Sequence, residues 1–530
     1  VLQINIQEPY FKLFETLHHF LSKYHISYLL PACGHTEYDN PIRPLTGLPL
    51  PMRIELKQTS VTSSKYPAML KLLYALLLCG LTSNAQVLIK NVNVIDVGNQ
   101  KILEGYDVVA LNGKITWVGH GRQFKLPRNT TVIDGTGKYL MPGLNDAHVH
   151  FFQSGGLYTR PDAMDLRKYR PYKNEIKWAH DHMEDFLAKY LEAGITSVAD
   201  VGSTFNFLRQ RDSLLNKVSV PLIYMTGPLL TTYVPKEFEG LGNDAPFIKM
   251  VSVENTVRAV HDEIKHKSDF IKIWYIVTDT NLERGARANF KLVKAAITAA
   301  HKNKLRVAVH ATERITAQLA VEAGADYLVH DIENEVVQDN FVNLLKNKHV
   351  VLCPTLVVGG NYGKVFAGKY SFSNDELKLD NPEQVKTITD YPLPDTVNGK
   401  LMIDRLANGQ YLARKRTTDS ICAVNLKKFV DAGVTIATGT DAGNIGTQHA
   451  GSYFTELEAM QRAGLNMWQL ITCSTINGAK AMGKENSWGS ITIGKRANMI
   501  LLTANPVQDL GNWRKLSAVI NKGVVINIAP

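Results

Sequence analysis

Cysteine is scarce in this 530-residue chain: there are five, and none sits in a Cys-x-x-Cys pair. That excludes a cysteine-ligated zinc finger and a disulfide-stapled scaffold, and a chain this long can bury a core without staples. Cys353 lies in the apolar run VVLCPTL, where a small buried thiol belongs. There is no low-complexity tract, no internal repeat and no long basic block, although the net charge is +10. Aromatic residues are not interleaved with the scattered lysines and arginines, so no nucleic-acid partner is expected. No apolar run reaches the roughly twenty residues that a membrane-spanning helix needs.

A shorter apolar run is present. MLKLLYALLLCGLTSNAQ places a lysine, an apolar core from Leu72 to Leu78 and a small-residue exit at Ser83-Asn84-Ala85. This is the layout of a secretory signal peptide over residues 69–85. It predicts an exported chain, periplasmic or secreted, that begins near Gln86, with residues 1–68 as an upstream extension. Three cysteines would then remain, an odd number.

Beyond Gln86, short alternating runs (VLIKNVNVIDV, YDVVALNGKITWVGHG) are separated by turn signals such as Asn112-Gly113. Similar runs close the chain in SITIGKRANMILLTANP and LSAVINKGVVINI. Residues 86–142 and 484–530 are therefore expected to form one small β-sandwich domain built from both ends. Residues 143–483 have another rhythm, in which eight strand candidates from LNDAHVH to VTIATGTDAG are mostly separated by helical patterns such as LVKAAITAAHKNK. The expected fold is α/β, a (β/α)8 TIM-type barrel, whose chemistry gathers at the C-terminal ends of its strands.

Those ends carry polar residues. His148 and His150 close the first strand, and residues two apart in a strand share a face. His180 and His182 show the same spacing in a helical stretch, where two residues turn through about 200° and the rings diverge onto a solvated face. Lys272 stands among apolar neighbours in the fourth strand, DFIKIWYI, where a buried amine is costly unless paired or converted to a carbamate. His310 and His330 end the fifth and sixth strands, and Asp441 ends the eighth in ATGTDAG. Each has a structural reading alone. Together they form a nitrogen and oxygen donor set suited to zinc or a similar divalent metal.

This order of HxH, Lys, His, His and Asp resembles the amidohydrolase superfamily over nearly all of Val87 to Pro530. The tail GSITIGKRANMILL is similar to the family's Gly-x-Ile-x-x-Gly-x-x-Ala-Asp run, with Asn498 where Asp is usual. GITSVADVG and GTQHAGSYFTELEAMQRAGL resemble the imidazolonepropionase-like and prolidase-like branch. The resemblance implies one or two divalent metals, zinc foremost. His148, His150 and Asp441 would hold one, His310 and His330 the other, and a carboxylated Lys272 would bridge them. It implies hydrolysis of a C–N bond in an amide, peptide or cyclic amide by a metal-activated hydroxide, with Asp441 as general base and then acid.

Tyr275 and His449 are expected near the substrate, a small molecule or short peptide. The long segment 357–430 before strand eight is expected to form a lid. A homo-oligomer is compatible with the sequence. A lactonase or esterase on the same metals, or a non-catalytic binding barrel, would use the same framework.

Overall fold

The computed structural model describes residues 86–121, 125, 127–389 and 397–526. The expected signal segment at 69–85 and the extension 1–68 lie outside the described residues.

The chain opens with β1 (Gln86–Asp96), β2 (Lys101–Leu111), β3 (Lys114–Gly119), β4 (Thr131–Asp134) and β5 (Tyr139–Pro142). The parallel ring begins with β6 (Leu144–Val149), followed by α1 (Tyr172–Glu192), β7 (Ile195–Asp200), α2 (Phe205–Leu214) and β8 (Leu222–Met225). The chain continues through β9 (Leu229–Thr231), β10 (Phe247–Lys249), α3 (Val253–Lys265), β11 (Ile271–Trp274), α4 (Leu282–Lys302) and β12 (Val307–His310). Then come α5 (Arg314–Ala323), β13 (Tyr327–Val329), α6 (Asp339–Asn347) and β14 (Val351–Cys353). Among the described residues the next connection holds five helices: α7 (Val358–Phe366), α8 (Asn374–Leu379), α9 (Pro382–Thr389), α10 (Val397–Ala407) and α11 (Gly409–Asp431). The chain ends with β15 (Thr435–Ile436), α12 (Tyr453–Arg462), α13 (Met467–Cys473), α14 (Ile476–Ala481), β16 (Met499–Leu502), β17 (Leu516–Asn521) and β18 (Val524–Ile526).

Strands β6, β7 and β8 pair in parallel, as do β9, β11, β12, β13, β14 and β15 in order, with β10 on the outer edge of β9. The third barrel strand is broken at 226–228 between β8 and β9. The ring joins across its first and last strands through Ala147 N to Thr438 O (2.9 Å), Asp441 N to His148 O (2.7 Å) and His150 N to Ala442 O (2.8 Å). The result is a TIM-barrel-like α/β fold.

One turn recurs at several of the handovers from helix to strand. After α4, α5, α6 and α11, a residue with φ between +53° and +107° (Lys304, Gly324, His349, Gly433) reverses the chain. The next amide then bonds back five residues, as in Ala325 N to Ala320 O (2.9 Å) and Val434 N to Phe429 O (2.9 Å). This Schellman-type stop ties up orphan carbonyls and fixes where the strand after it begins. The starting points of β12, β13, β14 and β15 follow from these turns.

The N-terminal strands and β16–β18 share one mixed sheet in the order β18-β17-β16-β5-β1-β2-β3, with β4 also on β1. Its buried Val87, Ile89, Val108, Leu140, Met499 and Ile520 form a core of their own. The sheet meets the barrel at Gly143, where a Cβ would lie 2.1 Å from Thr196 Oγ1. Beside it Asn498 Nδ2 donates to Thr196 O (3.2 Å) and Asn521 Oδ1 (2.8 Å). A carboxylate, the residue type usual here in similar chains, could donate neither bond.

His180 and His182 do not form the solvated face expected of them. His180 stacks on Phe207 and bonds Gln210 and Asp244, while His182 stacks on Trp178. The rings do diverge, each to its own neighbours. Among the described residues no helix is long and apolar enough to cross a membrane. Cys353, Cys422 and Cys473 are buried free thiols.

Candidate metal centre

Strand alternation turns His148 and His150 the same way, into the C-terminal mouth of the ring. Their Nε2 atoms lie 3.2 Å apart, and Asp441 Oδ1 lies 3.2 Å from the first and 3.1 Å from the second. His330 joins them: one donor atom each of His148, His330 and Asp441 lie within 4.8 Å of one another. The His310 and His330 rings are 4.4 Å apart. Lys272 is 1% exposed and lines the same cavity of about 300 Å³ as His150, His310, His330 and Asp441.

Outer partners aim the rings. His150 Nδ1 bonds Gly202 O (2.7 Å), which makes Nδ1 the donor and leaves the Nε2 lone pair facing inward. His330 Nδ1 bonds Thr355 Oγ1 (2.7 Å). Asp441 and His330 both occupy the left-handed backbone region, at φ +60° and +79°, a strained conformation found where surrounding structure over-determines it.

Burial, followed by the nearby Lys272 amine, holds His148 and His310 well below the ordinary imidazole range; burial and His310 do the same to His330. Burial also lowers the Lys272 amine to about 7, against the pull of Asp441. Burial would raise Asp441, but its bond to His150 and the charges of His150, His330 and Lys272 outweigh that and keep it below the ordinary carboxylate range. His148, His310 and His330 are thus held toward the neutral imidazole beside one carboxylate. Two imidazole nitrogens and a carboxylate oxygen crowded to 3.1–3.2 Å need an electrophile, proton or metal, between them, and this nitrogen and oxygen donor set fits a divalent cation.

Two expected substrate contacts lie elsewhere. Tyr275 faces away from the cavity, its hydroxyl donating to Ala286 O (2.5 Å) on α4. Its neighbours Trp274 and Ile276 line the cavity together with Lys272, because alternation puts Tyr275 on the opposite face. His449 is packed between Phe151 and Phe186, with ring centroids 5.2 and 4.4 Å away. It also bonds Gln153 O (2.9 Å) and the Tyr190 hydroxyl (3.2 Å), so it is held as a core residue.

Other cavity residues were not singled out from sequence: Arg160, Glu333, Tyr362 and Asn444. They come from loops and from α7, and carry no periodic signal. Trp274 could have been found by stepping two residues on from Lys272. Behind the site, Asp146 and Asp200 are fully buried carboxylates that burial raises to about 7. Asp146 accepts from the amides of His148 and Thr440, and Asp200 from those of Phe151 and Gly202.

A parallel ring that gathers imidazoles, a lysine and a carboxylate at its C-terminal mouth has the architecture of a metal-dependent hydrolase barrel. Residues 139–526 match the family model described as the amidohydrolase family, and the chain belongs to that family.

The fold is similar to that of a putative prolidase from Bifidobacterium longum, with TM-score 0.63 and 21% identity, covering 84% of this chain and 95% of that one. It is also similar to a Xaa-Pro dipeptidase with bound methionine in its active site, with TM-score 0.62 and 21% identity, covering 83% and 100%. A curated adenine deaminase of Ruegeria sp. (strain TM1040) is 39% identical over 75 residues, 14% of this chain. That stretch spans only 12% of the relative's length.

Proposed function

We propose that the chain hydrolyses the amide bond of a small molecule or short peptide, using one or two divalent cations, most naturally zinc. His148, His150 and Asp441 would hold one cation, His310 and His330 the second, with Lys272 as a bridging carbamate. The observation that carries this reading is the convergence of the His148 and His150 Nε2 atoms on Asp441 Oδ1. Support for the carbamate comes from the buried Lys272 amine, which at about 7 is substantially uncharged near neutral pH and so open to carbon dioxide.

When bound, such a cation supplies an acidified water and a polarised substrate carbonyl. Asp441 takes the proton from the attacking water and delivers it to the leaving nitrogen. Leu229, Phe247 and Trp274 wall the cavity, with Phe247 stacked on Trp274 at 5.0 Å, and would seat an apolar arm of the substrate. Residues 357–430 would act as a lid, a reading supported by the cavity positions of Val358, Gly359 and Tyr362 on α7.

Purified protein assayed on a panel of amides, dipeptides and esters, before and after chelation, tests this. Chelator-sensitive amide turnover is expected; hydrolysis of esters alone, or turnover indifferent to chelation, would contradict it. Export is part of the same proposal, resting on the residues at 69–85. N-terminal sequencing of the secreted or periplasmic protein should then begin near Gln86, and a chain found only inside the cell would contradict export.

A further inference from the structure

Asn444 follows Asp441 by three residues, in the turn after β15, and both ends of its amide are engaged. Nδ2 donates to Asp441 Oδ1 (2.7 Å) and to Asp441 O (3.0 Å). Oδ1 accepts from Arg160 Nη1 (2.7 Å) and from the Tyr362 hydroxyl (2.6 Å). Three separate parts of the chain meet on this one side chain: the turn after β15, the excursion between β6 and α1, and helix α7 of the long insertion.

The partners are themselves fixed. Arg160 forms a two-bond pair with Asp162, at 2.8 and 2.6 Å, and a further bond to the Tyr362 hydroxyl at 3.2 Å. Asn444 is 2% exposed, so its amide is shielded from bulk water. Asp441 needs such support. Its backbone is in the left-handed region, and a carboxylate's terminal torsion is broad, so its oxygens would otherwise swing. Asn444 grips both the backbone carbonyl and the carboxylate.

We propose that Asn444 is a positioning residue that sets the aim of the Asp441 carboxylate and couples it, through Tyr362, to the seating of the insertion over the cavity. This rests on the hydrolase reading above. An amide suits this position because it donates from one end and accepts at the other. A carboxylate cannot donate to Asp441, and leucine can neither donate nor accept.

Cobalt(II)-loaded wild-type protein, Asn444→Leu and Tyr362→Phe test it, using the visible cobalt spectrum and steady-state kinetics on the best amide of the panel. With Asn444→Leu we expect a changed cobalt spectrum and a kcat lower by about 100-fold, with KM within about twofold. Tyr362→Phe deletes one hydroxyl that approaches Asn444, so it carries the test even if Asn444→Leu does not fold; kcat should fall by about 3- to 10-fold with full cobalt loading. Wild-type spectrum and kcat in both variants would overturn the positioning role alone. A wild-type chain that takes up no cobalt would overturn the metal reading, and this proposal with it.

Discussion

Asp146 Oδ2 accepts a hydrogen bond from Thr440 Oγ1 at 2.7 Å, deep beneath the cavity. Asp146 lies on β6 two residues before His148, and Thr440 immediately precedes Asp441. The bond therefore ties the first strand of the ring to the continuation of the last, directly behind the donors that each contributes. Asp146 is fully buried, so its carboxylate depends on this hydroxyl and on the two amides that reach it.

Thr440→Val keeps the shape of the side chain and removes that donor. A buried acceptor left short of a partner costs about 1–3 kcal/mol. Urea unfolding should show a loss of this size, together with weaker metal retention during dialysis. Unchanged unfolding would mean that the bond does not support the site.

His449→Ala separates packing from substrate contact. The ring is 3% exposed and stacked between two phenylalanines. Its loss should cost about 2–4 kcal/mol in stability. KM should stay near wild type, because the ring lies outside the cavity. A large rise in KM with normal stability would restore His449 to the substrate.

These two cases show what sequence could and could not supply. His148, His150, His310, His330, Lys272 and Asp441 were legible as a converging set because each ends or interrupts an apolar strand, and strand tips of a barrel share one mouth. Alternation alone, applied strictly, would have turned Tyr275 outward. His449 lies eight residues past Asp441 in a loop whose path depends on contacts with Phe151, Phe186 and Tyr190, all distant in sequence. Arg160, Tyr362 and Asn444 meet only because of such non-local packing. The small sheet was readable from turn signals; its junction at Gly143, Thr196 and Asn498 was not, because three separate segments meet there.

Glu263 gives a pH prediction remote from the metal ligands. On α3, its carboxylate accepts from Gly227 N (2.9 Å) and from the Ser268 hydroxyl, and burial raises it from 4.5 to about 8. The folded state thus keeps a proton that the unfolded chain has already released. This group's contribution is fully favourable below about pH 4.5 and is lost as pH rises toward 8, by at most about 1.4 kcal/mol per unit. Glu263→Gln should flatten the fall of Tm between pH 5 and pH 8. Parallel curves for variant and wild type would show that Glu263 does not hold this proton.

The central claim is that His148, His150 and Asp441 converge in order to bind a cation. The most direct test is metal analysis of the purified chain after exposure to zinc and removal of excess. Wild-type protein should retain at least one divalent cation per chain. The double variant His148→Phe, Asp441→Asn should fold and retain less. A wild-type chain that holds none, or a double variant that holds as much as wild type, would contradict the account.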